Sequence, residues 1–384
     1  MYCGIDVSKG KSNVCILDNN KLVVEEFEIK HNKEGFAELE NHLKPGIKIG
    51  METTGNYCKT LYNYLKSKYA VCYVDNAQMK VFSKLKNPDK KNDKIDARLI
   101  ALYLASDFKR IDATRMNELK DLSRLYQKTI KQLTRYKFMF KDQINIIFPE
   151  MDQEFELSTG KTIQYLMLKY PGPELIKELS YDEIEQAMTE NLSKHGSLTY
   201  KDKTLKKIKE LAQISVGIKD YPTTCFQETV KMLLFHQEAI NNLKKKLEES
   251  LKKTPYYKVI DEFGYNIVSL STIVGEVGDI RRFPTHKHFA SYCGFDISEK
   301  QSGSYQSHSC YITKRGNRIL RCAFYNLVPV HLRYKTELSK FFYRLRDEKG
   351  KHAKKCMIAT ARKLAVQTYY HMLRCHETKD LYSN

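Results

Sequence analysis

Short β-rich runs broken by turn residues open the chain. They cover residues 2–7 (YCGIDV), 12–18 (SNVCILD) and 21–30 (KLVVEEFEIK), with Asn19 and Asn20 placed for a hairpin turn. A helical segment follows at about 32–43, then a strand at 46–51 (GIKIGM). The pattern continues with a helix at 57–68 (NYCKTLYNYLKS), a strand at 70–74 (AVCYV) and a helix from near Ala77. In KNDKIDAR, Asp93 and Asp96 fall three positions apart at the start of a further helix.

From Asn117 to Ile147 the spacing changes. Apolar residues recur every three or four positions, from Leu119 and Leu122 to Ile144 and Ile147, which predicts one long amphipathic helix ended by Pro149. A second long helix fits 224–253, with Val230, Leu233, Ile240, Leu243, Leu247 and Leu251 on one stripe. The two could form an antiparallel coiled-coil hairpin, pair between subunits, or join an ordinary bundle; too few clean heptads occur to choose. Residues 171–222 are less regular, with Pro171, Pro173 and Pro222 as breakers. Residues 258–290 fit two short helices joined by a glycine turn, a hairpin able to offer backbone N–H groups to a phosphate.

Three meander strands followed by alternating helix and strand is the order of a ribonuclease H-like fold, whose sheet is partly parallel. The expected architecture is α/β plus α. A RuvC-like domain spans 1–112, a helical coiled-coil region 113–256, and a mostly helical C-terminal domain 257–384.

That order gives meaning to carboxylates otherwise read as caps and strand ends. Asp6 is a charge in an otherwise apolar strand, and Glu52 ends the fourth. In a ribonuclease H-like sheet these strands are neighbours, and a packed helix can bring up Asp93 and Asp96. Two unit charges about 4 Å apart repel by roughly 4 kcal/mol at an effective dielectric near 20. Four carboxylates in one place therefore call for a cation, and an all-oxygen ligand set suits Mg²⁺ or Mn²⁺. Such ions serve phosphodiester chemistry.

Charge agrees with that chemistry. The 384 residues carry a formal net charge of +19 and 42% are hydrophobic, which points to a globular protein with a polyanionic partner. Between residues 333 and 376, twelve Lys/Arg stand against three Asp/Glu, so the polyanion contact is expected there, with Lys351, Lys354 and Lys355 in its densest part. KRGNR adds Lys314, Arg315 and Arg318 around a glycine, a fit place for a phosphate. No apolar run approaches the roughly 20 residues of a membrane span. No signal-peptide pattern opens the chain. The ten cysteines, among them Cys3, Cys15, Cys72, Cys225 and Cys322, lack zinc spacing and read as reduced core residues of a cytosolic protein. Residue patterns alone do not choose among Ser302, Ser304, Ser307 and Ser309 as a nucleophile, and no G-x-S-x-G elbow surrounds them.

Several motifs occur in the order of one family. GIDVSK at 4–9, METTGNY at 51–57 and KNDKIDAR at 91–98 resemble the RuvC-like half of the DEDD transposases of the IS-one-ten insertion-sequence family, the bridge-RNA-guided recombinases. EVGDIRRF at 276–283, ASYCGFD at 290–296, QSG at 301–303, ITKRGNRILR at 312–321 and ATARKLA at 359–365 resemble its transposase half. The resemblance implies a Mg²⁺ site on Asp6, Glu52, Asp93 and Asp96, and a nucleophilic Ser302. It implies excision and insertion of DNA through a phosphoserine link, guided by a structured bridge RNA that pairs with donor and target DNA. A homodimer or homotetramer, a site composed between protomers, and a bacterial or archaeal cytoplasm at the nucleoid complete the expectation. The family's hairpin reads close to PGIG, whereas this chain has FGYN at 263–266, keeping Gly264 and changing its neighbours. The competing readings are a RuvC-type junction nuclease without a covalent intermediate and a non-catalytic nucleic-acid-binding protein.

Overall fold

A computed structural model describes residues 1–52, 57–74, 76–86, 92–106, 110–111, 118–156, 160–189, 201–259, 265–297, 301–302, 305–306 and 312–380. The chain divides into two compact units, Met1–Met116 and Asn117–Asn384.

The first unit is a six-stranded mixed sheet between helices. Its strands are β1 (Tyr2–Val7), β2 (Lys11–Leu17), β3 (Val23–Lys30), β4 (Lys48–Glu52), β5 (Ala70–Val74) and β6 (Arg110–Ile111), ordered β3-β2-β1-β4-β5-β6. β1, β2 and β3 pair antiparallel, while β4 and β5 run parallel to β1. The strands and helices expected from alternation are all present within a few residues of their expected bounds.

Side-chain alternation gives each strand two faces. Cys3, Ile5 and Val7, with Ile49 and Met51, pack against helices α1 (Lys33–His42) and α2 (Tyr57–Leu65) in one core cluster. The opposite face of β1 and β4 carries Gly4 and Gly50. These seat the last helix of the unit, α4 (Asp93–Leu104), which follows α3 (Asn76–Lys86). A Cβ on Gly4 would overlap the backbone of Ala97 and Ala101, and one on Gly50 would meet the Leu104 side chain. Arg98 then ties α4 to β3 through a bidentate pair with Glu26, at 2.8 and 3.0 Å, and this guanidinium holds the Glu26 carboxyl below its usual range.

Gly4→Ala is therefore expected to lift α4 from the sheet, at a cost of about 3 kcal/mol from overpacking against backbone that cannot give way. Thermal unfolding and limited proteolysis of residues 1–116 would detect it. An unchanged melting temperature would mean that α4 does not rest on Gly4.

The second unit is helical. Helix α5 (Glu118–Ile147) runs antiparallel to α11 (Thr223–Lys252): Phe140 stacks on Phe226 at 5.5 Å, Tyr136 meets His236 at 5.0 Å, and Ser250 donates to Glu118 at 3.3 Å. The two helices are buried unevenly along their length. Their ends are embedded in separate cores, whereas no residue of α5 from Arg124 to Met139 is fully buried.

Residues 171–222 are more regular than the prolines suggested. The short helices α6 (Pro149–Glu154), α7 (Lys161–Lys169), α8 (Pro173–Glu178), α9 (Tyr181–Thr189) and α10 (Lys201–Ile214) precede α11. Pro173 starts a helix instead of breaking one, because the first helical residue needs no N–H partner. Cys225 and Cys322 are also exposed on helix surfaces, unlike the core thiols Cys3, Cys15, Cys58, Cys293 and Cys356. An apolar sequence neighbourhood does not place a residue on the inner helical face.

The C-terminal part comprises α12 (Ile267–Val277), α13 (His286–Tyr292), the strand pair β7 (Gln301–Ser302) and β8 (Tyr305–Gln306), then α14 (Arg318–Arg333), α15 (Glu337–Tyr343) and α16 (Ala353–Asp380). Within 258–290 the described α-helices are α12 and α13. They are joined through Gly278, at φ +66°, and a short 3-10 turn. Phe263 and Gly264 lie outside the described residues. Tyr265 is buried, with its hydroxyl 2.7 Å from Thr368 Oγ1, and the Asn266 side chain caps α12 by accepting from Ser269 N–H at 2.8 Å. Both departures from the PGIG pattern thus have structural work in this chain. Among the described residues, no helix is long and apolar enough to cross a membrane.

Candidate active site

The carboxylates are placed by the sheet register. Ile5 of β1 lies beside Met51 of β4, and the next residue on each strand is Asp6 and Glu52. Neighbouring strands are about 4.8 Å apart, so these two lie side by side. By alternation they share the face of Gly4 and Gly50, which is the face α4 covers.

Helix α4 runs back across that face. Ala97 and Ala101 lie over Gly4, Leu104 over Gly50, and the Asp93 carboxylate is within electrostatic reach of Lys11, which sits beyond the β1 end that carries Asp6. Asp93 lies about one helical turn, roughly 5.4 Å, before Ala97 and so toward that end, whereas Asp96 directly precedes Ala97. Asp6 and Glu52 thus follow paired residues on neighbouring strands, and Asp93 and Asp96 stand in the first turn of the helix that covers the Gly4–Gly50 face. Asp6, Glu52 and Asp96 are half-buried and Asp93 is exposed.

The helix cap falls to a different residue. Asn92 Oδ1 accepts from Lys94 N–H at 2.8 Å and Ile95 N–H at 3.2 Å. The side-chain cap is therefore made by neither Asp93 nor Asp96, which stand in the first turn of the helix. Among the described residues, no group of three or more His, Cys, Asp and Glu stands close enough together to hold a metal ion. The donor set nonetheless fits a hard divalent cation: it is oxygen only, anionic and open to solvent at Asp93.

Sequence reasoning missed Gly4, Gly50 and Asn92. A glycine inside an apolar strand was the signal for the first two, because it marks a close approach of backbone.

Ser302 ends β7, in a strand pair where a loop was expected. Its backbone pairs with Tyr305, and Gln301 pairs with Gln306. Ser304, Ser307 and Ser309 lie outside the described residues.

The KRGNR loop leads into α14. Lys314 takes φ +55° and Gly316 φ +109°, where a Cβ would press on the Ser291 and Tyr292 carbonyls. Arg321 Nη1 donates to the Lys314 carbonyl at 3.2 Å, and Asn317 N–H donates to the Tyr292 carbonyl at 2.6 Å. Asn317 Oδ1 already accepts from Ile319 and Leu320 N–H, at 2.9 and 3.1 Å. An anion at this helix start must therefore be met by the exposed Lys314, Arg315 and Arg318 side chains more than by free amides.

Lys351, Lys354 and Lys355 are exposed around the start of α16. His352 holds that turn, with Nδ1 accepting from Lys354 N–H at 3.2 Å. Neutralising the three lysines together should flatten the dependence of log affinity on log salt by about two to three, at roughly 0.9 for each phosphate that is no longer neutralised. Fluorescence anisotropy with duplex DNA over a salt series measures it, and an unchanged slope would mean that these charges face only solvent.

Two relatives named pilin gene-inverting protein, from Moraxella lacunata and Moraxella bovis, are each 23% identical over 96% of this chain and 94% of their own length. Residues 3–149, which contain the sheet and α4, match the model of DEDD transposases of the IS110 type. Residues 263–344 match the transposase model of the IS116/IS110/IS902 family. The two models cover more than half of the chain, in order and without overlap. This protein belongs to the IS110-type family of DEDD transposases and is a DNA transposase or recombinase.

Proposed function

We propose that the protein cuts and rejoins DNA strands with a carboxylate-held divalent cation and a serine nucleophile, under the guidance of a structured RNA. The observation that supports this reading is the parallel register of β1 and β4, in which Asp6 and Glu52 each follow the paired Ile5 and Met51 on the face that α4 covers. Asp6, Glu52, Asp93 and Asp96 would hold Mg²⁺ or Mn²⁺ in a RuvC-like domain. Bound there, the ion would supply Lewis acidity toward the scissile phosphate.

Ser302 Oγ forms a bond to phosphorus as the bond from phosphorus to one sugar oxygen breaks. The serine proton passes to solvent and the departing sugar oxygen takes one up. Attack by a sugar hydroxyl on the phosphoserine reverses the exchange and rejoins a strand with no net loss of phosphodiester bonds. Lys314, Arg315 and Arg318 hold the phosphate by charge.

Gene inversion, for which the two Moraxella relatives are named, needs strands to be rejoined and not only cut. That favours a recombinase over a junction nuclease. The family's guide RNA has separate basic regions to bind here, KRGNR and the 333–376 tail. We further propose three functional parts (1–112, 113–256 and 257–384), assembly as a homodimer or homotetramer, and action on DNA in the cytoplasm.

Incubating the protein and its co-purifying RNA with plasmid DNA, with and without Mg²⁺, tests the reading. Joined products that require the cation and a discrete structured RNA are expected. Nicking without joining would return the chain to the junction-nuclease class, and no cleavage under any condition would leave a binding protein.

A further inference from the structure

The KRGNR loop is anchored from beneath by a buried carboxylate that phosphate binding does not itself explain. Glu276, on α12, has a side chain with no solvent exposure. Arg124 of α5 meets it in a bidentate pair, Nε to Oε1 at 2.6 Å and Nη2 to Oε2 at 3.0 Å. Asn317 Nδ2 donates to Oε2 at 2.7 Å. Both oxygens of Glu276 are therefore engaged, one of them twice.

Asn317 works in two directions. Its Oδ1 caps α14 while its Nδ2 reaches Glu276, so the amide cannot flip without losing both partners. Glu276 is itself held in place: a Cβ on the preceding Gly275 would press on the Lys120 backbone at 2.8 Å, so α12 and α5 touch backbone to backbone. A buried carboxylate tolerates little displacement from its donors, because an unpaired buried charge is far costlier than an unpaired exposed one.

We infer that Glu276 is the positioning residue of the KRGNR loop, registering Lys314, Arg315 and Arg318 against α5 so that they meet a nucleic-acid phosphate together. The inference rests on the proposed reading of that loop as a phosphate contact. Glu276 touches no substrate and acts only through Asn317.

The test measures binding of the full-length protein to a mixed-sequence DNA duplex over a salt series. In Glu276→Gln, the bidentate pair with Arg124 is broken in either amide orientation, because an NH₂ group replaces one oxygen and faces either Arg124 Nε or both Arg124 Nη2 and Asn317 Nδ2. Affinity should fall about tenfold and the salt slope by about one. Asn317→Ser keeps a helix cap but cannot reach Glu276, and should show the same loss. The double variant Glu276→Gln with Asn317→Asp puts an amide donor opposite a carboxylate that still caps α14, and should recover the wild-type slope. A role confined to stability would move the melting temperature and leave the slope of folded protein unchanged. If Asn317→Ser and Glu276→Gln keep the wild-type slope while Ala substitution of Lys314, Arg315 and Arg318 lowers it, the positioning role is wrong. If that triple substitution also leaves the slope unchanged, the phosphate reading of the loop fails, and the inference with it. Should Glu276→Gln not fold, Asn317→Ser decides alone.

Discussion

Ser302→Ala is expected to lose DNA cleavage and strand joining together, by at least about a thousandfold, while DNA affinity and melting temperature stay near wild type. A nucleophile that forms the covalent intermediate cannot be bypassed for either half-reaction, and removing it costs nearly as much as removing its whole catalytic unit. In a metal-hydrolytic nuclease the attacking group is water, so the same substitution would leave nicking intact. The two classes thus differ in kind and not in degree. A protein–DNA adduct that survives denaturation in wild type and disappears in Ser302→Ala identifies the residue. If Ser302→Ala still forms the adduct, a neighbour such as Ser304, Ser307 or Ser309 is the nucleophile.

Asp6→Ala, Glu52→Ala and Asp93→Ala should each abolish strand exchange and leave nucleic-acid binding largely unchanged. These side chains are read as metal ligands, whereas binding is carried by cationic groups elsewhere in the chain. Helix α4 should survive the Asp93 change, since Asn92 is its cap. Asp96→Ala should also lose activity.

The cation itself gives a readout independent of turnover. An ion that binds only the folded state stabilises it by about 2.7 kcal/mol when present at one hundred times its dissociation constant. Mg²⁺ or Mn²⁺ should therefore raise the wild-type melting temperature and have little effect on the three variants. Near-normal recombination in two of the three would show that the cation, if needed, is held elsewhere.

The elements of this protein were legible in its sequence because helix and strand periodicity is a property of near neighbours. The alternation in 2–30 marked the meander strands, and the 3–4 spacing in 117–147 and 224–253 marked the long helices. Asp93 and Asp96 were already visible as a pair in the first turn of a helix. Local pattern failed where local rules compete. Pro173 opens a helix, Asn92 takes the capping role that Asp93 and Asp96 also suit, and Gln301–Ser302 enters a strand pair set by its partner Tyr305–Gln306.

What only the tertiary structure decided is which distant residues meet. That Asp6 and Glu52 fall on neighbouring strands follows from the parallel pairing of β1 and β4, and that α4 seats on this face follows from Gly4 and Gly50, which have no Cβ to hold it off. Glu276 meets Arg124, 152 positions away, and Asn317, 41 positions away, only because α12 packs against α5 and α14 follows the KRGNR loop. No periodicity encodes such meetings, because burying a charge is favourable only once packing has supplied its partners.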